Sequence, residues 1–249
     1  MGRVVGVIPA RLEATRLPGK PLRAICGRPM IEWVYRRARQ SKSLDALLVA
    51  TDSEEIRAAC EKSGIPAMMT SPECRSGTDR VGEVMGRELA DIYVNIQGDE
   101  PMVTAEHIEL ILRPFRESPA TQVSTLKVAI TPDEARDPNN VKVVTDLNGR
   151  ALYFSRSLVP FDRENSGRVQ YFKHLGHYAY SRQGLEQFSK LPPSELEQHE
   201  KLEQLRFLEN GIPIRVVETS QDTIGVDSEE DLKRVEECFR REGVSLPGE

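Results

Sequence analysis

Arg11, Gly19 and Lys20 stand close together in VIPARLEATRLPGKPL, directly after an apolar run, and Arg16 adds a third cation between them. A triphosphate is strongly anionic, and attack at one of its phosphorus atoms needs cations on the oxygens that gain charge. Arg11 offers a planar fork of N–H donors for phosphate oxygens, Lys20 a point charge, and Gly19 a close approach of the main chain. The same composition also describes a solvated basic turn. The stretch is not a GxxxxGK[ST] phosphate loop, because Ala14 stands where that motif has its first glycine and Pro21 follows Lys20.

Further along, QGDEP puts Asp99 and Glu100 just past an apolar run, where a carboxylate is well placed to hold Mg²⁺. An ordinary acidic turn has the same look, and the odds change if a second carboxylate reaches the same ion. Asp227 in IGVDS is that second candidate, although Ser228 and Asp231 beside it also form a helix-capping pattern. In ECRSGTDR, the residues Arg75, Ser76 and Gly77 precede a helix, where main-chain N–H groups and small polar side chains can meet a base or a ribose. Asp79 and Arg80 also fit plain first-turn helix charges. His174, Tyr178 and Glu203 could bind sugar hydroxyls, and equally fit an interior histidine and an exposed helical glutamate. His177 and His199 lack metal-site spacing with a cysteine, and there is no GxSxG or HExxH motif.

These residues need elements to hold them. Val4 to Ile8 has the short β-branched pattern of a buried strand. A helix opens at Pro29 and carries Ile31, Val34, Tyr35 and Ala38 at helical spacing. A strand follows over Ala46–Thr51, then a helix with an Asp52/Glu55 capping pattern, a short strand over Ala67–Thr70, and a helix over Thr78–Leu89 with Leu89 on its apolar face. Ile92–Ile96 is a strand, and Thr104 caps the next helix. This alternation implies an α/β fold with a mostly parallel, doubly wound sheet and helices on both faces. Such sheets bind ligands at the carboxyl ends of their strands, where the basic loop, the turn after Thr51 and QGDEP all fall.

After residue 120 the pattern becomes antiparallel: strands over Gln122–Ile130, Val141–Asp146, Leu152–Ser155 and Leu175–Tyr180, with a hairpin turn at Asn148-Gly149. One helix is expected from Ser194 to Gly211, a strand over Ile214–Glu218, and a final helix carrying Leu232, Val235 and Phe239. No repeat or linker interrupts the chain, so residues 1–249 read as one domain, with about 120–190 as an antiparallel region inside it.

With 249 residues, 39% hydrophobic and 29% charged, the chain can bury a substantial core. A net charge of -5 argues against broad attraction to nucleic acid or anionic membrane. The four cysteines are scattered and read as reduced packing residues of a cytoplasmic protein. No apolar stretch reaches membrane-spanning length, and the first strand begins too early to leave room for a signal peptide.

The segments PARLEATRLPGKPL, VATD, RSGTDR, VNIQGDEP, DPNNVKVV, ALYFSR, KHLGHYAY, LEQLR and GVDS together resemble the 3-deoxy-manno-octulosonate (KDO) cytidylyltransferase family, in its order and over nearly the whole chain. The resemblance implies a Rossmann-like nucleotidyltransferase that converts CTP and KDO to CMP-KDO and diphosphate for lipopolysaccharide biosynthesis. It implies that Pro9, Ala10, Arg11, Lys20, Arg75, Ser76, Gly77 and Asp99 bind the nucleotide, with Arg11 and Lys20 catalytic. It further implies Asp99 and Asp227 on Mg²⁺, and Gln97, Arg156, His174, Tyr178 and Glu203 around the sugar. The family is usually a homodimer. Leu12, Ala14, Cys74 and His177 depart from its common pattern, which leaves open the 8-amino analogue of KDO as substrate. A glycosyltransferase should carry a DxD motif, which QGDEP does not supply, and a silent CTP-binding regulator could have lost Lys20 or one of the carboxylates.

Overall fold

The computed structural model describes residues 2–12 and 17–244, so Arg16 lies outside the described residues. The chain divides into two compact units, Met1–Glu109 with Thr223–Glu249, and Leu110–Asp222.

The first unit begins with strand β1 (Val4–Ala10), a single 3-10 turn (Lys20–Leu22) and a small ribbon, β2 (Ala24–Ile25) with β3 (Arg28–Pro29). It continues through α1 (Met30–Ala38), β4 (Ala46–Thr51), α2 (Glu54–Lys62), β5 (Ala67–Met69), α3 (Gly77–Arg87) and β6 (Ile92–Asn95), and then enters α4 (Ala105–Glu117). Strands β6, β1, β4 and β5 pair in that order, all parallel, as the alternation of strand and helix requires. Val4, Val5, Val7 and Ile8 are buried, which accounts for a strand apolar on both faces.

The second unit holds β7 (Val123–Ile130), α5 (Pro132–Arg136), β8 (Lys142–Thr145), β9 (Ala151–Ser155), β10 (Tyr171–Ser181), α6 (Arg182–Phe188), α7 (Glu195–Glu200), α8 (Leu205–Glu209) and β11 (Ile214–Thr219). Its strands β7, β8, β9 and β10 pair antiparallel, while β11 runs parallel to β7. The hairpin between β8 and β9 turns at Asn148-Gly149, where Gly149 takes the left-handed φ of 71° that such turns need.

The chain returns to the first unit as α9 (Glu229–Glu242), capped by Ser228 with Asp231 in a reciprocal box. Val235 and Phe239 on this helix pack with Met30 and Trp33 of α1, and the Trp33 and Phe239 rings lie 4.5 Å apart. That contact brings the loop before α9 back to the start of the chain.

Three local expectations are corrected. Ser53, not Asp52, caps α2, because Asp52 is drawn into an ion pair with Arg80. Leu89 is beyond α3 and exposed, since the helix ends with Glu88 as its C-cap. The helix expected over Ser194–Gly211 breaks at Lys201, whose left-handed φ of 54° ends α7 before α8 begins.

Candidate active site

In the first unit a cavity of about 250 Å³ opens beyond the carboxyl end of β1. Pro9, Ala10 and Arg11 line it from the end of β1, Lys20 and Pro21 from the 3-10 turn, Gly77 and Arg80 from α3, and Gln97, Gly98 and Asp99 from the loop after β6. The strand order explains the convergence: β1 is central, with β6 and β4 on its two sides.

Two close approaches shape the wall. A Cβ built on Gly98 would stand 2.6 Å from the Pro9 carbonyl oxygen, and one on Gly77 would stand 3.3 Å from Pro9 Cγ. At Gly98 any side chain would force the backbone to move, while at Gly77 the Pro9 ring would have to give by a few tenths of an ångström. The α3 N-terminus is held by Ser76, whose Oγ accepts from the Asp79 N–H, while Asp79 Oδ2 accepts from the N–H groups of Arg75 and Ser76. Arg11 donates through Nη2 to the Cys74 carbonyl, tying the basic loop to the segment that carries Arg75–Gly77.

Lys20 is the electrostatic centre. Its Nζ donates to Asp99 Oδ2 at 2.7 Å and to Asp227 Oδ1 at 2.9 Å. Burial works against charge on this lysine, but the two carboxylates outweigh it and hold its pKa above the ordinary lysine value. Asp99 and Asp227, expected to share one cation, therefore do meet around one. Asp227 immediately precedes the α9 cap, so the capping pattern belongs to Ser228 and leaves Asp227 for Lys20. Glu100 of the same QGDEP segment accepts instead from the Thr223 hydroxyl at 2.6 Å.

Arg80 is a finding that the sequence pattern understated. The side chain is fully buried, donates to Thr70 Oγ1 at 2.6 Å, and pairs with Asp52 at the end of β4. The signal was its place on the α3 stripe that also buries Val81 and Val84.

The second unit carries His174, Tyr178, Glu203 and Arg156. The His174 ring stands 5.4 Å from Tyr178 and 4.9 Å, edge on, from Phe154. His174 Nε2 is hydrogen-bonded to Thr125 Oγ1 at 2.9 Å. The pairing of β10 with β7 shifts register between Leu175 and Tyr178, a bulge of the kind that re-aims side chains. Tyr178 is buried and its hydroxyl has no hydrogen-bond partner among the described residues. Burial, with Tyr180 and Glu203 nearby, pushes that phenol well above its ordinary pKa. Glu203 is half-buried in the turn between α7 and α8 rather than on a helix.

Arg156 follows β9 and is held from several directions. Its main-chain N–H donates to Glu200 Oε2 at 2.9 Å and its Nε to the Glu200 carbonyl at 2.8 Å. Its own carbonyl accepts from Nζ of the fully buried Lys142 at 2.6 Å. Sequence reasoning missed Lys142 and Glu200, whose partners lie far along the chain and leave no local signal.

All four cysteines are free thiols, two of them, Cys60 and Cys74, buried. Among the described residues no helix is long and apolar enough to cross a membrane.

Comparison with known proteins gives a consistent picture. The family model described as cytidylyltransferase matches residues 5–219. The chain is 56% identical over 236 residues to the 3-deoxy-manno-octulosonate cytidylyltransferase of Acidobacterium capsulatum, covering 95% of this chain and 96% of that protein. It is 54% identical to the enzyme of the same name from Koribacter versatilis, over 96% of this chain and 90% of that one. Among solved structures, a CMP:2-keto-3-deoxy-manno-octonic acid synthetase complexed with CTP superposes with a TM-score of 0.93 at 46% identity, covering 96% of this chain and 99% of the other.

Proposed function

We propose a reaction for this chain, which belongs to the cytidylyltransferase family: it transfers the cytidylyl group of CTP to KDO, forming CMP-KDO and releasing diphosphate. The observation that carries the reading is the single cavity in which Arg11, Lys20 and Asp99 converge, with Asp227 held on the same lysine. The identity to relatives named for this reaction supports KDO, and no residue of the site favours the 8-amino sugar over it.

Arg11 and Lys20 hold the triphosphate and stabilise the charge that develops as the sugar hydroxyl attacks the α-phosphorus and the bond to the β-phosphate oxygen breaks. Gly77 and Gly98 let the main chain approach the nucleotide, and Arg75–Gly77 lie against the cytidine. Gln97 contributes to the sugar contacts from the loop after β6. In the second unit Arg156 faces the sugar carboxylate, while His174, Tyr178 and Glu203 meet its hydroxyls. The Tyr178 phenol stays protonated at neutral pH, and its unpartnered hydroxyl suits a sugar oxygen.

The carboxylate pair fits Mg²⁺. Its donors are hard oxygens, and two of them already reach one cationic atom, Nζ of Lys20, at 2.7 and 2.9 Å. Asp99 and Asp227 would hold the ion, which when bound supplies positive charge to the phosphate oxygens and acidifies a nearby hydroxyl.

The same reading makes the protein a cytoplasmic homodimer serving lipopolysaccharide biosynthesis.

The test is diphosphate release from CTP and Mg²⁺ with KDO, with its 8-amino analogue, and with sialic acid. Release with KDO alone is expected. Preference for the amino sugar would keep the chemistry and change the substrate, and silence with all three alongside CTP binding would overturn the enzyme reading.

A further inference from the structure

The proposed metal position already has a resident cation. Lys20 Nζ donates to both Asp99 Oδ2 and Asp227 Oδ1, and its side chain is only 16% exposed, against 37% and 47% for the two carboxylates. The lysine is therefore the inner member of the trio. Its main-chain position is set by the turn it opens. It begins a 3-10 turn, between Gly19 in the left-handed region and Pro21, and the Leu22 N–H closes that turn on the Gly19 carbonyl at 2.9 Å. The loops that carry the carboxylates are joined as well, because the Val226 N–H donates to the Asp99 carbonyl at 2.9 Å.

We infer that Lys20 and the divalent ion compete for the Asp99–Asp227 pair, so that the pair accepts the ion only when the nucleotide's phosphates give the lysine a new partner. The inference rests on the reading above. The ammonium and a divalent ion cannot share the two carboxylates without strong repulsion at a separation of a few ångströms. The phosphates of CTP are the anions that the same cavity is built to receive, so Lys20 exchanges carboxylate for phosphate as the nucleotide enters. Ion and nucleotide then bind with positive coupling, and by linkage each raises the affinity for the other by the same factor. The role is distinct from holding phosphate: Lys20 keeps the carboxylates compensated and bars the ion until the substrate is there to use it.

The experiment measures Mn²⁺ binding to the nucleotide-free protein by the loss of the free-ion signal in electron paramagnetic resonance. Lys20→Met is expected to bind Mn²⁺ at least tenfold more tightly than the unmodified chain. Lys20→Gln, which keeps hydrogen-bonding capacity and loses charge, carries the same expectation should the methionine variant fold poorly. Lys20→Arg, which keeps the charge, should stay within about threefold of the unmodified chain. Adding Asp99→Asn to Lys20→Met should abolish the gain. Folded neutral variants that bind Mn²⁺ no more tightly than the unmodified chain, or a gain that survives Asp99→Asn, would overturn the inference while leaving KDO-dependent diphosphate release untouched. Tighter Mn²⁺ binding in the neutral variants, together with no such release by the unmodified chain, would support the exchange and overturn the reaction assigned above.

Discussion

The main-chain N–H of Val226 donates to the carbonyl oxygen of Asp99 at 2.9 Å. One hydrogen bond thus joins the loop after β6 to the loop before α9, next to both carboxylates that bind Lys20. The Thr223 hydroxyl reinforces it on Glu100. The two loops that carry the acidic pair are thus joined through the backbone.

That arrangement separates chemistry from stability at Asp99. Asp99→Asn should lower kcat by roughly two to three orders of magnitude. Since the Lys20 contact is partly exposed at Asp99, unfolding free energy should change by about 1 kcal/mol or less. Near-normal turnover at saturating Mg²⁺ would remove Asp99 from the site.

Arg80 behaves differently, because its fully buried guanidinium pairs with Asp52 and donates to Thr70 Oγ1. Arg80→Met should destabilise the protein by about 3–5 kcal/mol in urea unfolding, through an uncompensated carboxylate. Adding Asp52→Asn should recover part of that loss. A single variant as stable as the unmodified chain would show the pair to be dispensable.

Gly98→Ala tests the close approach of the loop after β6 to β1. The added methyl meets the Pro9 carbonyl oxygen at 2.6 Å, so backbone must move. The expected outcome is a loss of about 1–3 kcal/mol, typical of overpacking, together with weaker CTP binding in calorimetry. Unchanged affinity would separate the Pro9–Gly98 contact from nucleotide binding.

Glu32 gives the acid limb of stability. Burial alone would raise its pKa, but hydrogen bonds from Arg36 and Ser63 and the nearby charge of Arg28 hold it below the ordinary carboxylate value. A folded-state pKa below the unfolded one contributes stability above about pH 4.5, lost as pH falls through the folded value. Glu32→Gln should therefore cost about 2 kcal/mol at pH 7. The difference from the unmodified chain should shrink as denaturation is repeated at lower pH. A difference that does not change between pH 7 and about pH 3 would mean that Glu32 does not titrate with folding.

Local elements and the identity of the chemical groups were legible in the order of residues. The short apolar, β-branched run Val4–Ile8, the Ser228/Asp231 cap and the Asn148-Gly149 turn are decided by neighbours a few residues apart, so residue pattern and turn chemistry reveal them. The basic loop, QGDEP and IGVDS were legible as candidates because residue type limits chemistry. Only the tertiary structure decided who meets whom. Lys20 finds Asp99 and Asp227 because parallel pairing sets β1 beside β6 and because Phe239 packs on Trp33, bringing the start of α9 home. Arg80 became a buried ion pair, and Lys201 broke a helix, for the same kind of reason: burial and partnership across long chain separations outweigh local propensity, and no local pattern encodes them.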